Sequence, residues 1–131
     1  MTKLPLELDL INLINDLKLF SWEASETLLY YSQILRDSND KSNILQNGTN
    51  DDPVTLADLK VNEIIIQRIN DKYKNIGWEI LSEENVKVSN SNCDINSDWL
   101  WVLDPLDGTK DFIQGTRNYA MHLALNYKHK P

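Results

Sequence analysis

At 131 residues and 15.2 kDa, the chain has the length of one ordinary domain, enough for a single core but short for a two-domain enzyme. Four Gly, four Pro, four Trp and five Tyr in a chain that is 41% hydrophobic exclude low-complexity, collagen-like and disordered classes. A net charge of −7 argues against sequence-independent binding to duplex nucleic acid, although an acidic chain can still hold anions through intervening cations.

The N-terminal stretch from Met1 to Leu19 is apolar only at intervals and is broken by Glu7, Asp9, Asn12, Asn15 and Asp16. That pattern fits neither a secretory signal nor a membrane span, so a cytoplasmic protein without membrane contact is expected. Residues 6–36 contain no Gly and no Pro, and Leu10, Leu13, Ile14, Leu17, Phe20, Ala24, Leu28, Tyr31 and Leu35 recur at helical spacing. They predict one long helix, or two joined near Phe20–Ser21. Residues 37–53 are turn formers, with a tight turn at Asn47–Gly48 and a short extended piece at Ile44–Leu45.

Thr55 followed by Asp58 is a capping-box spacing and opens a second helix that should run to Tyr73 and stop before Gly77. Ala57, Val61, Ile64, Ile65, Ile69 and Tyr73 form its apolar face. Asp58 falls in the middle of that face, with Asn62 one turn further on, and an inward carboxylate needs a partner. Trp78 to Ser82 reads as a short strand ending at Glu83–Glu84, and residues 85–98 as a polar loop. Cys93, the single cysteine, lies in that loop; with no disulfide partner and no metal-type Cys/His spacing it is a bystander.

Trp99 to Leu103 is a continuous apolar run, as in a strand buried on both faces, with Trp99 and Trp101 as core residues. It ends in Asp104-Pro105-Leu106-Asp107-Gly108-Thr109, the segment with the strongest chemical signal. Two carboxylates three residues apart converge if Pro105 fixes a turn, and Gly108 permits a backbone conformation closed to other residues. A helical turn opening at Gly108–Thr109 would bind an anion, and nearby carboxylates tolerate a phosphate only with hard cations between them. An ordinary Asp-Pro turn with a capping Asp107 gives the same spacing. Lys110 and Arg117 flank the turn. Tyr119 to Tyr127 reads as a last strand, with His122 a half-buried packing residue and His129 and Lys130 in a frayed terminus. Neither a P-loop lysine motif nor a nucleophile elbow is present.

Asp52-Pro53-Val54-Thr55-Leu56-Ala57-Asp58, then Leu81-Ser82-Glu83-Glu84, then Trp101 through Ile113 with Asp104-Pro105-Leu106-Asp107-Gly108-Thr109-Lys110-Asp111-Phe112 together resemble the inositol monophosphatase superfamily of Mg2+-dependent phosphomonoesterases. The Lys110-Asp111-Phe112 continuation is more like the 3′(2′),5′-bisphosphate nucleotidase branch, which acts on 3′-phosphoadenosine 5′-phosphate and serves sulfur assimilation. The resemblance implies an α+β fold, a mixed sheet flanked by two long helices, forming the N-terminal half of the inositol monophosphatase-like sugar phosphatase fold.

It further implies Mg2+ held by Glu83, Asp104 and the Leu106 carbonyl, with a second ion on Asp104 and Asp107. Thr109 with Asp58 would activate water, and Asp107, Gly108 and Thr109 would contact the substrate phosphate. Family members are longer and carry a Trp-Asp motif in a C-terminal half, and nothing after residue 113 matches it. Residues 1–131 are therefore expected to be the metal- and phosphate-binding N-terminal domain, without the C-terminal domain, inactive or weak alone and prone to homo-oligomer formation. Two alternatives are an inositol or sugar phosphate monoesterase, and a non-catalytic remnant serving as a binding or assembly piece.

Overall fold

The computed structural model describes Leu4 and residues 8–37, 55–85 and 98–131. The turn-rich segment with Ile44–Leu45 and Asn47–Gly48, the Asp52-Pro53-Val54 start of the first motif, and Cys93 lie outside the described residues. Helix α1 spans Leu10–Asp37. It begins later than position 6 because Asp9 caps it: its carboxylate accepts from the Ile11 N–H at 3.2 Å and its carbonyl accepts from the Leu13 N–H at 3.0 Å. The helix does not break near Phe20–Ser21. Ser21 and Ser25 satisfy their hydroxyls on the carbonyls one turn back, Leu17 and Ser21, at 2.8 Å each. Phe20 and Ala24 lie in the buried seam, so an interruption there would expose it.

Helix α2 (Leu56–Tyr73) starts at the predicted capping box: the Thr55 hydroxyl accepts from the Asp58 amide while the Asp58 carboxylate accepts from the Thr55 amide. Its predicted apolar stripe is the buried one, with Ala57, Val61, Ile65, Ile69 and Tyr73 inward. A 3-10 turn over Lys74–Ile76 and a left-handed Gly77 end it. The two helices run antiparallel. Asp16 near the start of α1 meets Tyr73 and Lys72 at the end of α2, whereas Glu23 is gripped by Arg68 through two N–H groups at 2.8 and 2.6 Å.

Strands β1 (Glu79–Ser82), β2 (Trp99–Asp107) and β3 (Ala120–Tyr127) form a mixed sheet in that order, β1 parallel and β3 antiparallel to the central β2. Trp101 and Leu103, in register with Leu125 and Leu123, face the helices and are buried. Tyr73 and Trp78 close over Trp101, with ring centroids at 6.3 and 5.6 Å. Trp101 is thus a core residue, while Trp99 is half-buried and pairs with Tyr127 at 4.7 Å.

Strand β2 runs past the expected end at Leu103, through Pro105 to Asp107. Its pairing with β3 slips between Asp104 and Asp107, with Pro105 and Leu106 on β2 against Met121 alone on β3, giving a bulge where Pro105 has no N–H to offer. The short helix α3 (Thr109–Gln114) follows and buries Phe112. Among the described residues, no helix is long and apolar enough to cross a membrane.

Candidate active site

The bulge at the end of β2 turns the chain toward the start of α2. Asp58 is 1% exposed, and both its oxygens are engaged. One oxygen accepts from the Thr55 amide (2.8 Å) and hydroxyl, and the other from the Thr109 hydroxyl at 3.1 Å. Burial raises the Asp58 carboxyl above its ordinary value, and the hydrogen bonds from Thr55 and Thr109 oppose the rise. The inward carboxylate predicted from periodicity therefore has its partners, one of them 51 residues away.

Thr109 reaches Asp58 because Gly108 adopts a left-handed conformation, φ 82°, between strand and helix. A side chain at Gly108 would run into the Asn118 carbonyl oxygen, so the close approach that this glycine permits is to its own chain. The Thr109 hydroxyl also lies 3.0 Å from the Leu106 carbonyl. One hydroxyl carries one proton, so donation to Asp58 leaves the Leu106 carbonyl lone pairs for another partner. The Leu106 amide donates to Asp104 at 3.2 Å.

Asp104 meets Glu83 side chain to side chain. Burial, the hydrogen bond with Glu83 and the charges of Glu83 and Asp107 push the Asp104 carboxyl up to about 6, against the Leu106 amide, which lowers it. Asp107 stands at the exposed edge with His122 Nε2 3.7 Å from its carboxylate. His122 is the register partner of Asp104 and is exposed, not the packing residue expected. Lys110 and Arg117 are exposed.

The acidic pair after β1 is divided. Glu83 is exposed and faces Asp104, whereas Glu84 is buried. Residues 83–85 are helical and are tied to α2: the buried Ser82 hydroxyl donates to the Asn62 carbonyl oxygen, and the Asn62 amide donates to Asn85 at 3.1 Å. Asn62 and Ser82 were not singled out as site residues from the sequence. The available signal was the position of Asn62 one turn beyond Asp58 on the same face.

The structure brings Asp58, Thr109 and Leu106 together, and separately Glu83 and Asp104, with Asp107 close enough to act on Asp104 electrostatically. Among the described residues, no three of His, Cys, Asp and Glu are gathered into a ready-made metal cage. The donor chemistry nevertheless fits a hard cation. The donors are carboxylates and a carbonyl, and Asp104, raised to about 6 first by burial and then by Glu83, stands in a concentration of negative charge that a cation would relieve.

The family model described as "Inositol monophosphatase family" matches residues 13–131. The chain belongs to the inositol monophosphatase family. Members of this family are phosphatases that act on small phosphorylated substrates and generally depend on metal ions. The 3′(2′),5′-bisphosphate nucleotidase CysQ of Haemophilus influenzae is 29% identical over 122 residues, 92% of this chain and 41% of that protein. The Nus factor SuhB of Pseudomonas aeruginosa is 35% identical over 77 residues, 59% of this chain and 27% of its own. The crystal structure of staphylococcal IMPase-I complexed with products superposes with a TM-score of 0.66 at 21% identity, covering 95% of this chain and 42% of that one. The α+β fold is thus the N-terminal part of the inositol monophosphatase fold, and the chain spans about two fifths of the length of the first of these relatives.

Proposed function

We propose that the chain forms the metal- and phosphate-binding N-terminal domain of a Mg2+-dependent phosphomonoesterase of the 3′(2′),5′-bisphosphate nucleotidase type, acting on 3′-phosphoadenosine 5′-phosphate. The observation that carries the chemistry is the hydrogen-bonded line from Thr55 through Asp58 to Thr109, linked to the pair Glu83–Asp104 through Leu106, whose carbonyl lies 3.0 Å from the Thr109 hydroxyl and whose amide donates to Asp104. Support for the substrate comes from the CysQ relative, matched along 92% of this chain, and from Lys110-Asp111-Phe112 after the Gly-Thr pair.

In this reading, Glu83, Asp104, the Leu106 carbonyl and Asp107 hold the cations. When bound, Mg2+ neutralises phosphate charge and acidifies water. Asp58 fixes Thr109 by accepting a hydrogen bond from its hydroxyl, which turns the hydroxyl lone pairs outward to accept a hydrogen bond from the attacking water. Burial helps here, since an Asp58 carboxyl raised above its ordinary value is a stronger base than an exposed one. The amides of Gly108 and Thr109 open α3 and have no carbonyl a turn earlier in that helix, leaving them for phosphate oxygens. Water attacks phosphorus directly with no protein nucleophile: it gives up a proton through Thr109 toward Asp58, the ester P–O bond breaks, and the sugar oxygen leaves as a hydroxyl after taking a proton from solvent.

The decisive experiment compares kcat/KM of the full-length protein for 3′-phosphoadenosine 5′-phosphate and inositol 1-phosphate in Mg2+. A ratio favouring the nucleotide is expected. A ratio favouring inositol phosphate would move the protein to the inositol or sugar phosphate branch.

A further inference from the structure

Beyond the residues already assigned, one side chain stands at the site without a role. His122 lies across the sheet from Asp104 in the β2–β3 register, so the two project from the same face. Its Nε2 sits 3.7 Å from an Asp107 carboxylate oxygen, and both side chains are more than 60% exposed. That separation is too long for a hydrogen bond, and an exposed His–Asp pair is weak as an ion pair. The imidazole is therefore not committed to Asp107.

Two donors bound to one cation at about 2.0–2.2 Å each lie roughly 3.0–3.5 Å apart. The spacing of His122 and Asp107 is a few tenths of an ångström wider, a gap that two exposed side chains close by small rotations. The bulge is what brings them together, since it carries Asp107 back beside the start of β3 after Pro105 has broken the ladder.

We infer that His122 is a metal-selectivity residue: it donates an imidazole nitrogen to the divalent cation held by Asp104 and Asp107. It thereby shifts this site from Mg2+ toward borderline cations such as Co2+ or Zn2+. The chemistry follows from ligand type, since carboxylate and carbonyl oxygens suit Mg2+ and an added imidazole favours later first-row metals. The inference rests on the metal reading proposed above.

Residues 1–131 hold two histidines, His122 and His129, and the second serves as the control. Mn2+ is bound to the full-length protein as a spin probe and nitrogen-14 coupling is read by electron spin-echo envelope modulation, with calorimetric affinities for Co2+ and Mg2+ alongside. The nitrogen modulation should be present in the wild type, lost in His122→Ala and His122→Asn, and retained in His129→Ala. Co2+ affinity should fall about tenfold in the two His122 variants, while Mg2+ affinity changes by no more than about threefold. Modulation absent from Mn2+-loaded wild type, or undiminished in the His122 variants, overturns the inference while leaving the metal site intact. If no divalent cation binds and Asp104→Asn changes nothing, the metal reading itself fails and takes this inference with it.

Discussion

Two residue-scale features of the site behave differently toward protons. Asp58 is buried with every oxygen engaged, so its value lies in aligning Thr109. Thr109→Ala and Asp58→Asn in the full-length protein should each lower kcat by about 10²–10⁴ with little change in KM, while Thr109→Ser retains most of the rate. Steady-state kinetics on the three variants checks this, and a Thr109→Ala enzyme at wild-type kcat would remove the pair from the mechanism. Asp104 carries a pH signature instead. Its folded-state pKa is raised from 3.8 to about 6, first by burial and then by Glu83. A carboxyl raised on folding contributes stability that is fully present below about 3.8 and is lost as pH rises through about 6. In chelator, urea unfolding should therefore give a stability that drops between pH 4 and 6.5 more in wild type than in Asp104→Asn. Identical pH slopes in the two proteins would show that the crowding is not felt.

Among the elements, the turn from β2 into α3 does most to place the site. Pro105 ends regular pairing, the bulge swings Asp107 toward β3, and Gly108 reverses into α3 so that Thr109 faces α2. Gly108→Ala must carry φ 82° on an L-residue and push its Cβ into the Asn118 carbonyl. Destabilisation of about 1–3 kcal/mol is expected by denaturant titration, with loss of activity beyond that cost because Thr109 is displaced. Gly77 also has a left-handed φ, 68°, but nothing within 4 Å of a Cβ, so Gly77→Ala should cost less than Gly108→Ala. Equal penalties at the two glycines would argue against tight packing of the turn on the 116–119 segment.

For the whole molecule, the layers are α1 on α2 and α2 on the helix-facing side of the sheet, which leaves Leu81, Leu100, Val102 and Ala124 partly exposed on the other side. On the reading proposed above, the second cation takes a further carboxylate, and the substrate further contacts, that residues 1–131 do not supply. Isolated as a polypeptide, residues 1–131 should bind a divalent cation yet turn over at least about 10²-fold slower than the Haemophilus influenzae relative, since each well-placed stabiliser of transition-state charge is worth that much. The partly exposed apolar face should also make the polypeptide self-associate. Parallel assays with light-scattering detection check both expectations, and comparable turnover by a monodisperse monomer would show that these residues complete the site themselves.

Much of this was legible in the amino-acid order because it is local. The capping box at Thr55–Asp58, the stripe from Ala57 to Tyr73 and the apolar run at Trp99–Leu103 depend on neighbours within one or two turns, so periodicity and spacing are enough to find them. That Asp58 points inward followed from the same periodicity, and its link to Thr109 followed from the family resemblance, not from spacing. Other features needed the folded chain. The unbroken α1 depends on Phe20 and Ala24 being sealed against other elements, and exposure of His122 beside Asp107 depends on which side of a bulged ladder it falls. Ordering Glu83 through Ser82 and Asn62 joins a strand end to a helix 20 residues earlier. Contacts of that separation are set by how layers stack, and no pattern within a single element encodes the stacking.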